Sequence, residues 1–146
     1  MEDNEFAHNT VGLSADGANR LVASHNTFRS NGWAVRLLSS TDDARFERNN
    51  FFDNTFDVGM RGGETTTRFA GNYWDDYRGY DLDRNGVGDA PFHPVRLFSL
   101  IVAQNPPTLV LLRSSFVMLL DGVERAVPSL TPSSVVDDTP ALTPIR

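Results

Sequence analysis

A unit of 22 or 23 residues returns along the first half of this chain. The segment Asn-x-Phe-x-x-Asn stands at Asn4/Phe6/Asn9, Asn26/Phe28/Asn31 and Asn49/Phe51/Asn54, and a partial fourth copy follows at Asn72-Tyr73-Trp74. The leading asparagines are spaced 26−4 = 22, 49−26 = 23 and 72−49 = 23. A unit this short cannot close a core of its own, so it must bury its apolar face against the next copy. The copies stack.

Around each motif the apolar residues alternate: Val11 and Leu13, then Trp33, Val35 and Leu37, then Phe56, Val58 and Met60. A shorter run precedes each asparagine, with Ala23, Phe46 and Phe69 three residues before it. Short alternating runs bounded by Asn, Gly, Ser and Asp are strands and turns. Each copy thus carries at least two inward-facing strands, and the fold class is all-β: a right-handed, single-stranded parallel β-helix. Its coils start near residues 4, 26, 49 and 72, with Phe6, Phe28, Phe51, Val35, Val58 and Phe69 inside. Asn4, Asn26, Asn49 and Asn72 then form a structural ladder, because amides stacked at strand spacing hydrogen-bond along the axis. Asn also tolerates the left-handed backbone that tight corners need.

With 146 residues and no cysteine, the chain is one domain's worth and has no disulfide framework, zinc-thiolate site or cysteine nucleophile. Its formal charge of −6 is not that of a nucleic-acid binder. The first residues have no basic start followed by an apolar stretch, so no signal peptide is read there. The repeat begins at once, without a capping unit. The expectation is the C-terminal piece of a longer solenoid.

Three segments follow from this. Residues 1–94 hold the last coils and, from residue 75, an Asp/Gly-rich capping loop; residues 95–127 are apolar and helical; residues 128–146 form a Pro-rich extended tail. In the second segment Leu109, Leu112, Phe116, Leu119, Leu120 and Val123 keep helical spacing behind Pro106-Pro107, and Leu97-Phe98 lie in the preceding apolar run. A helix apolar nearly all round must be buried, either by plugging the open end of the stack or by docking on a partner. Leu97, Phe98, Leu109, Leu112, Phe116 and Leu119 are the docking candidates. Arg113-Ser114-Ser115 interrupts the run, which is too short for a membrane span. The tail is expected to be extended or disordered unless a surface holds it.

For chemistry, the clearest pattern is Asp81-x-Asp83-x-Asn85-Gly86-Val87-Gly88-Asp89. Oxygen donors at alternate positions around a glycine turn suit Ca²⁺, with Asp81, Asp83, Asn85, the Val87 carbonyl and Asp89 as ligands. Phe92 stands where a bidentate Glu would complete an EF-hand loop, so a plain Gly/Asp turn is the competing reading. Soft-metal donors are few: His8, His25, His93, Met60 and Met118, and His8 and His25 stand beside motif asparagines at different offsets, so they do not stack. Asp42-Asp43, Asp53 and Asp57 offer the carboxylates sugar chemistry needs, but Asp42 and Asp43 sit where acids are ordinary turn residues, and the chain is not read as an enzyme.

The block Gly71-Asn72-Tyr73-Trp74-Asp75-Asp76-Tyr77 through Asp81-Leu82-Asp83-Arg84-Asn85-Gly86-Val87-Gly88-Asp89-Ala90-Pro91, behind the repeat, resembles the C-terminal half of the NosD family. The resemblance extends to Leu97-Phe98, Ser115-Phe116 and the tail from Pro128. It implies a periplasmic, non-enzymatic maturation scaffold for nitrous oxide reductase. Such a scaffold would work with an ABC transporter's membrane subunit and a copper chaperone to supply the copper centre. The repeat alone also fits a carbohydrate-binding or pectin-lyase-like β-helix and a surface structural protein.

Overall fold

Short apolar columns separated by polar corners give each coil three strands. The structure, a computed structural model, describes residues 1–38, 41–62, 66–111, 115–126 and 135–146, and of Leu109, Phe116 and Arg125 the backbone only. The first coil holds β1 (Glu5–Ala7), β2 (Val11–Ala15) and β3 (Val22–Ser24); the second holds β4 (Thr27–Arg29), β5 (Trp33–Leu38) and β6 (Arg45–Glu47). The third holds β7 (Asn50–Phe52), β8 (Phe56–Arg61) and β9 (Arg68–Ala70), and β10 (Tyr73–Trp74) opens a fourth. They form three parallel sheets, in the orders β1-β4-β7-β10, β2-β5-β8 and β3-β6-β9. Register follows the sequence period: Phe6 lies beside Phe28, Phe28 beside Phe51, and Phe51 beside Trp74. Leu13, Val35 and Val58 form a second column, and Ala23, Phe46 and Phe69 a third. This is the parallel β-helix the repeat requires.

Phe28, Phe46, Phe51, Val35 and Val58 are fully buried, Phe69 and Trp74 nearly so, and Phe6 is partly buried in the first coil. The rings stack along the axis, with centroids 5.0 Å apart for Phe6–Phe28 and Phe28–Phe51 and 4.1 Å apart for Phe51–Trp74. The column Val11, Trp33 and Phe56 keeps the same period but belongs to a separate cluster. A Cβ on Gly59 would lie 2.4 Å from the Trp33 ring, so only glycine lets that ring lie flat on the strand.

The apolar C-terminal segment covers this second cluster. Helix α1 (Leu97–Gln104) sets Phe98 against Phe56, with ring centroids 6.0 Å apart, and buries Val102 beside it. Pro106–Leu111 turns as a 3-10 helix, and helix α2 (Ser115–Ala126) adds Val117 and Leu120. The helices therefore lie on the flank of β5 and β8. What covers the end of the stack is Trp74, Phe92, Val95 and Val135. None of the described helices is long and apolar enough to cross a membrane.

The described part of the tail, residues 135–146, returns to the coils. Phe92 and Asp137 exchange backbone hydrogen bonds of 2.9 Å, and the Ala141 N–H donates to the Asn72 carbonyl at 2.9 Å. Lower down, the Asn50 side chain pairs with the Ile145 backbone, donating to its carbonyl at 2.9 Å and accepting its N–H at 2.8 Å. The surface that holds this tail is the chain's own.

Phe28→Ala should lower the unfolding free energy by about 3–5 kcal/mol, since it opens a cavity between two stacked rings. Denaturant titration checks this, and a loss below about 1 kcal/mol would mean the column carries little of the core.

Candidate functional site

The four ladder asparagines do more than line up. Asn4 donates both its backbone N–H and its Nδ2 to the Asn26 Oδ1, each at 3.0 Å. Asn26 does the same to Asn49 at 2.9 and 3.0 Å, and Asn49 to Asn72 at 2.9 and 3.0 Å. The second Nδ2 proton of Asn49 and of Asn72 goes to a carbonyl of the preceding coil, at 2.9 Å in both. Every rung thus passes two donors onward, and the last must meet something that only accepts.

Asp137 is that acceptor. Its Oδ2 takes the Asn72 N–H at 3.0 Å, the Asn72 Nδ2 at 2.9 Å and the Trp74 Nε1 at 3.1 Å. Its Oδ1 takes the N–H groups of Gly71 and Thr139, both at 3.1 Å. The residue is fully buried. Sequence reasoning missed it because it lies 65 residues from Asn72, in a tail with no repeat signal. The signal available was chemical: a ladder that donates in one direction needs a carboxylate at its end.

The corners hold a correction. The left-handed residues are not the ladder asparagines but those just before them: Asp3, His25 and Arg48, with φ from 53 to 56°, and Gly71 at 66°. The chain turns one residue early, which leaves each Asn free to direct its amide along the axis. A non-glycine residue there costs roughly 1–2 kcal/mol, which the rung's hydrogen bonds offset.

A second asparagine column runs from Asn9 through Asn31 to Asn54, with N–H to Oδ1 distances of 3.0 Å at both steps. Its last member donates Nδ2 to Asp57 Oδ1 at 3.3 Å. Burial first, then the charges of Asp75 and Asp76, push the Asp57 carboxyl up to about 7, against the opposing pull of Arg96 and Asn54. Between the helices, Glu124 of α2 accepts the Leu97 N–H at 3.1 Å and so caps α1, whose own N-cap Arg96 makes no side-chain cap. Burial raises the Glu124 carboxyl above its usual range although Leu97 and Arg96 act the other way.

In the capping loop, carboxylate oxygens of Asp81, Asp83 and Asp89 lie within 4.8 Å of one another. Asp81 accepts N–H groups of Asn85 at 3.1 Å and Gly86 at 2.9 Å, and Asp89 accepts that of Leu82 at 2.6 Å. Desolvation opposes the charged form of Asp81, but the bonds from Gly86, Asp83, Asn85 and Arg84 outweigh it and hold the carboxyl below its usual range. Asn85 turns its amide oxygen to the Val87 N–H at 2.7 Å, and Val87 is bridged to Ala141. Among the described residues, the groups that bring three His or acid side chains together are all-carboxylate: this one and Asp57, Asp75 and Asp76. His8, His25 and His93 join neither, Met60 is in the core, and Met118 is on the outer side of α2. Cu(I) prefers thiolate, thioether and imidazole donors, so these residues do not fit a copper site.

Of the docking candidates, Leu97 is half-buried at the start of α1 and Phe98 is buried against the coil. Leu119 is 63 % exposed and Met118 76 % exposed, and they share the outer side of α2 with Gly122, Val123 and Ala126. Leu112 lies outside the described residues, as do the side chains of Leu109 and Phe116.

Asp137→Asn should lower stability by about 2–3 kcal/mol, because an amide must turn a donor toward groups that are themselves donors. A denaturation curve that moves by less than about 0.5 kcal/mol would show that the rung is not needed.

The family model described as "Periplasmic copper-binding protein (NosD)" matches residues 1–79. A protein of Pseudomonas aeruginosa named "Probable ABC transporter binding protein NosD" is 31 % identical over 120 residues, which is 80 % of this chain and 28 % of the relative. Its namesake from Stutzerimonas stutzeri is 28 % identical over 121 residues, covering 81 % of this chain and 28 % of that protein. The chain therefore spans little more than a quarter of the curated relatives it matches, and the relatives are named as transporter binding proteins and not as enzymes. With more than half its length matched by that model, and with the coil repeat running through the matched residues, this chain belongs to the NosD family, a family described as periplasmic.

Proposed function

We propose that this chain is the portion of a NosD protein that ends the β-helix and docks on the membrane subunit of an ABC transporter. In this reading it is a non-enzymatic scaffold in the copper-centre maturation of nitrous oxide reductase, alongside a copper chaperone. The observation that carries the proposal is the outer side of α2, where the large apolar side chains of Met118 and Leu119 stand exposed beside Gly122, Val123 and Ala126 while Val117 and Leu120 pack toward the coil. A helix that keeps large apolar side chains exposed after its inner side has packed has a second surface to bury. The names of the two relatives support a transporter as the partner. Copper is then cargo of the assembly, since the described donor set here is hard oxygen.

The test uses the full-length protein carrying this chain. Met118→Asp with Leu119→Asp should leave the melting temperature unchanged, both being exposed. It should weaken co-purification with the transporter by about 10-fold or more, because one such side chain is worth about 1.5–3 kcal/mol when buried. Undiminished co-purification sinks the proposal. Truncation after Pro94 is the wrong test, because it also removes Asp137 and the end of the ladder.

We further propose that the loop from Asp81 to Asp89 binds Ca²⁺ for structural purposes, fixing the cap against the tail at Val87 and Ala141. Millimolar calcium should raise the melting temperature in proportion to the logarithm of its concentration, and EDTA should reverse the rise. If Asp83→Ala melts identically with calcium and with EDTA while the parent chain does too, the loop is only a turn.

A further inference from the structure

Where the third coil, the turn after β10 and the start of α1 meet, three carboxylates crowd one guanidinium. Asp57, in β8 beside Phe56, is 8 % exposed; Asp75 and Asp76 follow Trp74; Arg96 directly precedes α1 and pairs with Asp76. Oxygens of the three acids lie within 4.8 Å of one another. Among the described residues, Asp57 accepts one donor, Asn54, and Asp75 accepts the Asp53 N–H at 2.5 Å. From α2, Asp121 and Glu124 face the same guanidinium region, and His93 acts on Glu124 from the loop before α1. A cavity of about 190 Å³ adjoins the junction, between Thr55 and Phe56 on the coil and Phe98 and Val117 on the helices, with Arg96 and Asp121 in its wall.

We propose that this junction is a proton-operated latch: with Asp57 protonated α1 lies closed on β8, and with Asp57 ionised the junction opens to let water reach the carboxylate. One guanidinium already paired with Asp76 cannot neutralise three acids. An ionised carboxylate so nearly enclosed must find water or a cation, and the cavity beside Phe56 and Arg96 offers space for water. The sign follows from the raised folded value. The folded form holds the proton more tightly than the unfolded form, whose value is 3.8. Stabilisation of the closed state is therefore complete below the unfolded value and is lost as pH rises through about 7. The consequence for docking, that pH sets how firmly the outer side of α2 is presented, rests on the function proposed above. The latch itself is measured without any partner.

Amide hydrogen exchange in the 146-residue chain tests it, with rates in α1 taken relative to those in β7 of the same molecule so that the intrinsic pH dependence cancels. In the parent chain the ratio should rise about 10-fold, roughly one pKa unit's worth of free energy, between pH 6 and 8. Asp57→Asn, fixed in the uncharged form, should stay slow and flat across the range. Arg96→Gln removes the counter-charge, so its midpoint should move upward; this variant carries the test where Asp57→Asn does not fold. A flat ratio in the parent chain, an unchanged rise in Asp57→Asn, or a rise abolished by Glu124→Gln but not by Asp57→Asn overturns the latch. Undiminished transporter binding by the Met118→Asp, Leu119→Asp protein, with the exchange profile intact, would count against the docking proposal and leave the latch standing.

Discussion

The buried amide ladder is the interaction on which the rest of this structure depends. Asn26, Asn49 and Asn72 are wholly enclosed, where an unpaired amide costs about 1–3 kcal/mol. Each is satisfied only because its neighbours stand one coil above and below in the same register. That condition fixes the register of all three sheets, since a one-residue slip would move the amide out of reach and turn the aromatic column to solvent. The aromatic stack fills the interior with large buried rings, but it would tolerate small shifts along the strand. The ladder would not.

Its direction dictates the topology of the C-terminal third. A rung that donates to the next cannot end on another amide without orphaning two donors, so the chain must bring back a carboxylate, and it does so from residue 137. The helices between Val95 and Val135 are consequently an insertion held at both ends, with each of these residues buried in the main core. Such a segment cannot swing away as a free tail does. A partner docked on α2, as proposed, would pull on elements tied to the last coil through Phe98 at the flank and Asp137 at the end.

The coils were legible in the sequence because their cause is periodic. Asn-x-Phe at steps of 22 and 23 fixed the sheet register, and Phe28, Phe51, Val35 and Val58 lie in the interior as the alternation requires. Trp33 and Phe56 show the limit of that reasoning. They keep the same period, yet they pack on α1 at the flank, because a repeat says which residues are equivalent and not which side of the sheet they serve. Asp137 was invisible for the opposite reason: it occurs once, and the ladder chemistry that needs it is not a pattern in sequence. The corner conformation was misplaced by one residue because amide tolerance of the left-handed region is a property of Asn in isolation. Here the amide is already committed to the ladder, so Asp3, His25 and Arg48 take the turn.

The two asparagine columns end in the same chemical group and in opposite circumstances. Asp137 receives five N–H donors from the last coil and its own segment. Among the described residues, Asp57 receives one donor, at 3.3 Å, and shares the Arg96 guanidinium with Asp75 and Asp76. A carboxylate satisfied by backbone is a permanent part of a fold, because removing its charge leaves donors without acceptors. A carboxylate surrounded by its own kind is satisfied in only one protonation state. The end of the stack is thus closed by a carboxylate held by five donors, and the flank that carries the helices is joined to it by one crowded by two other acids.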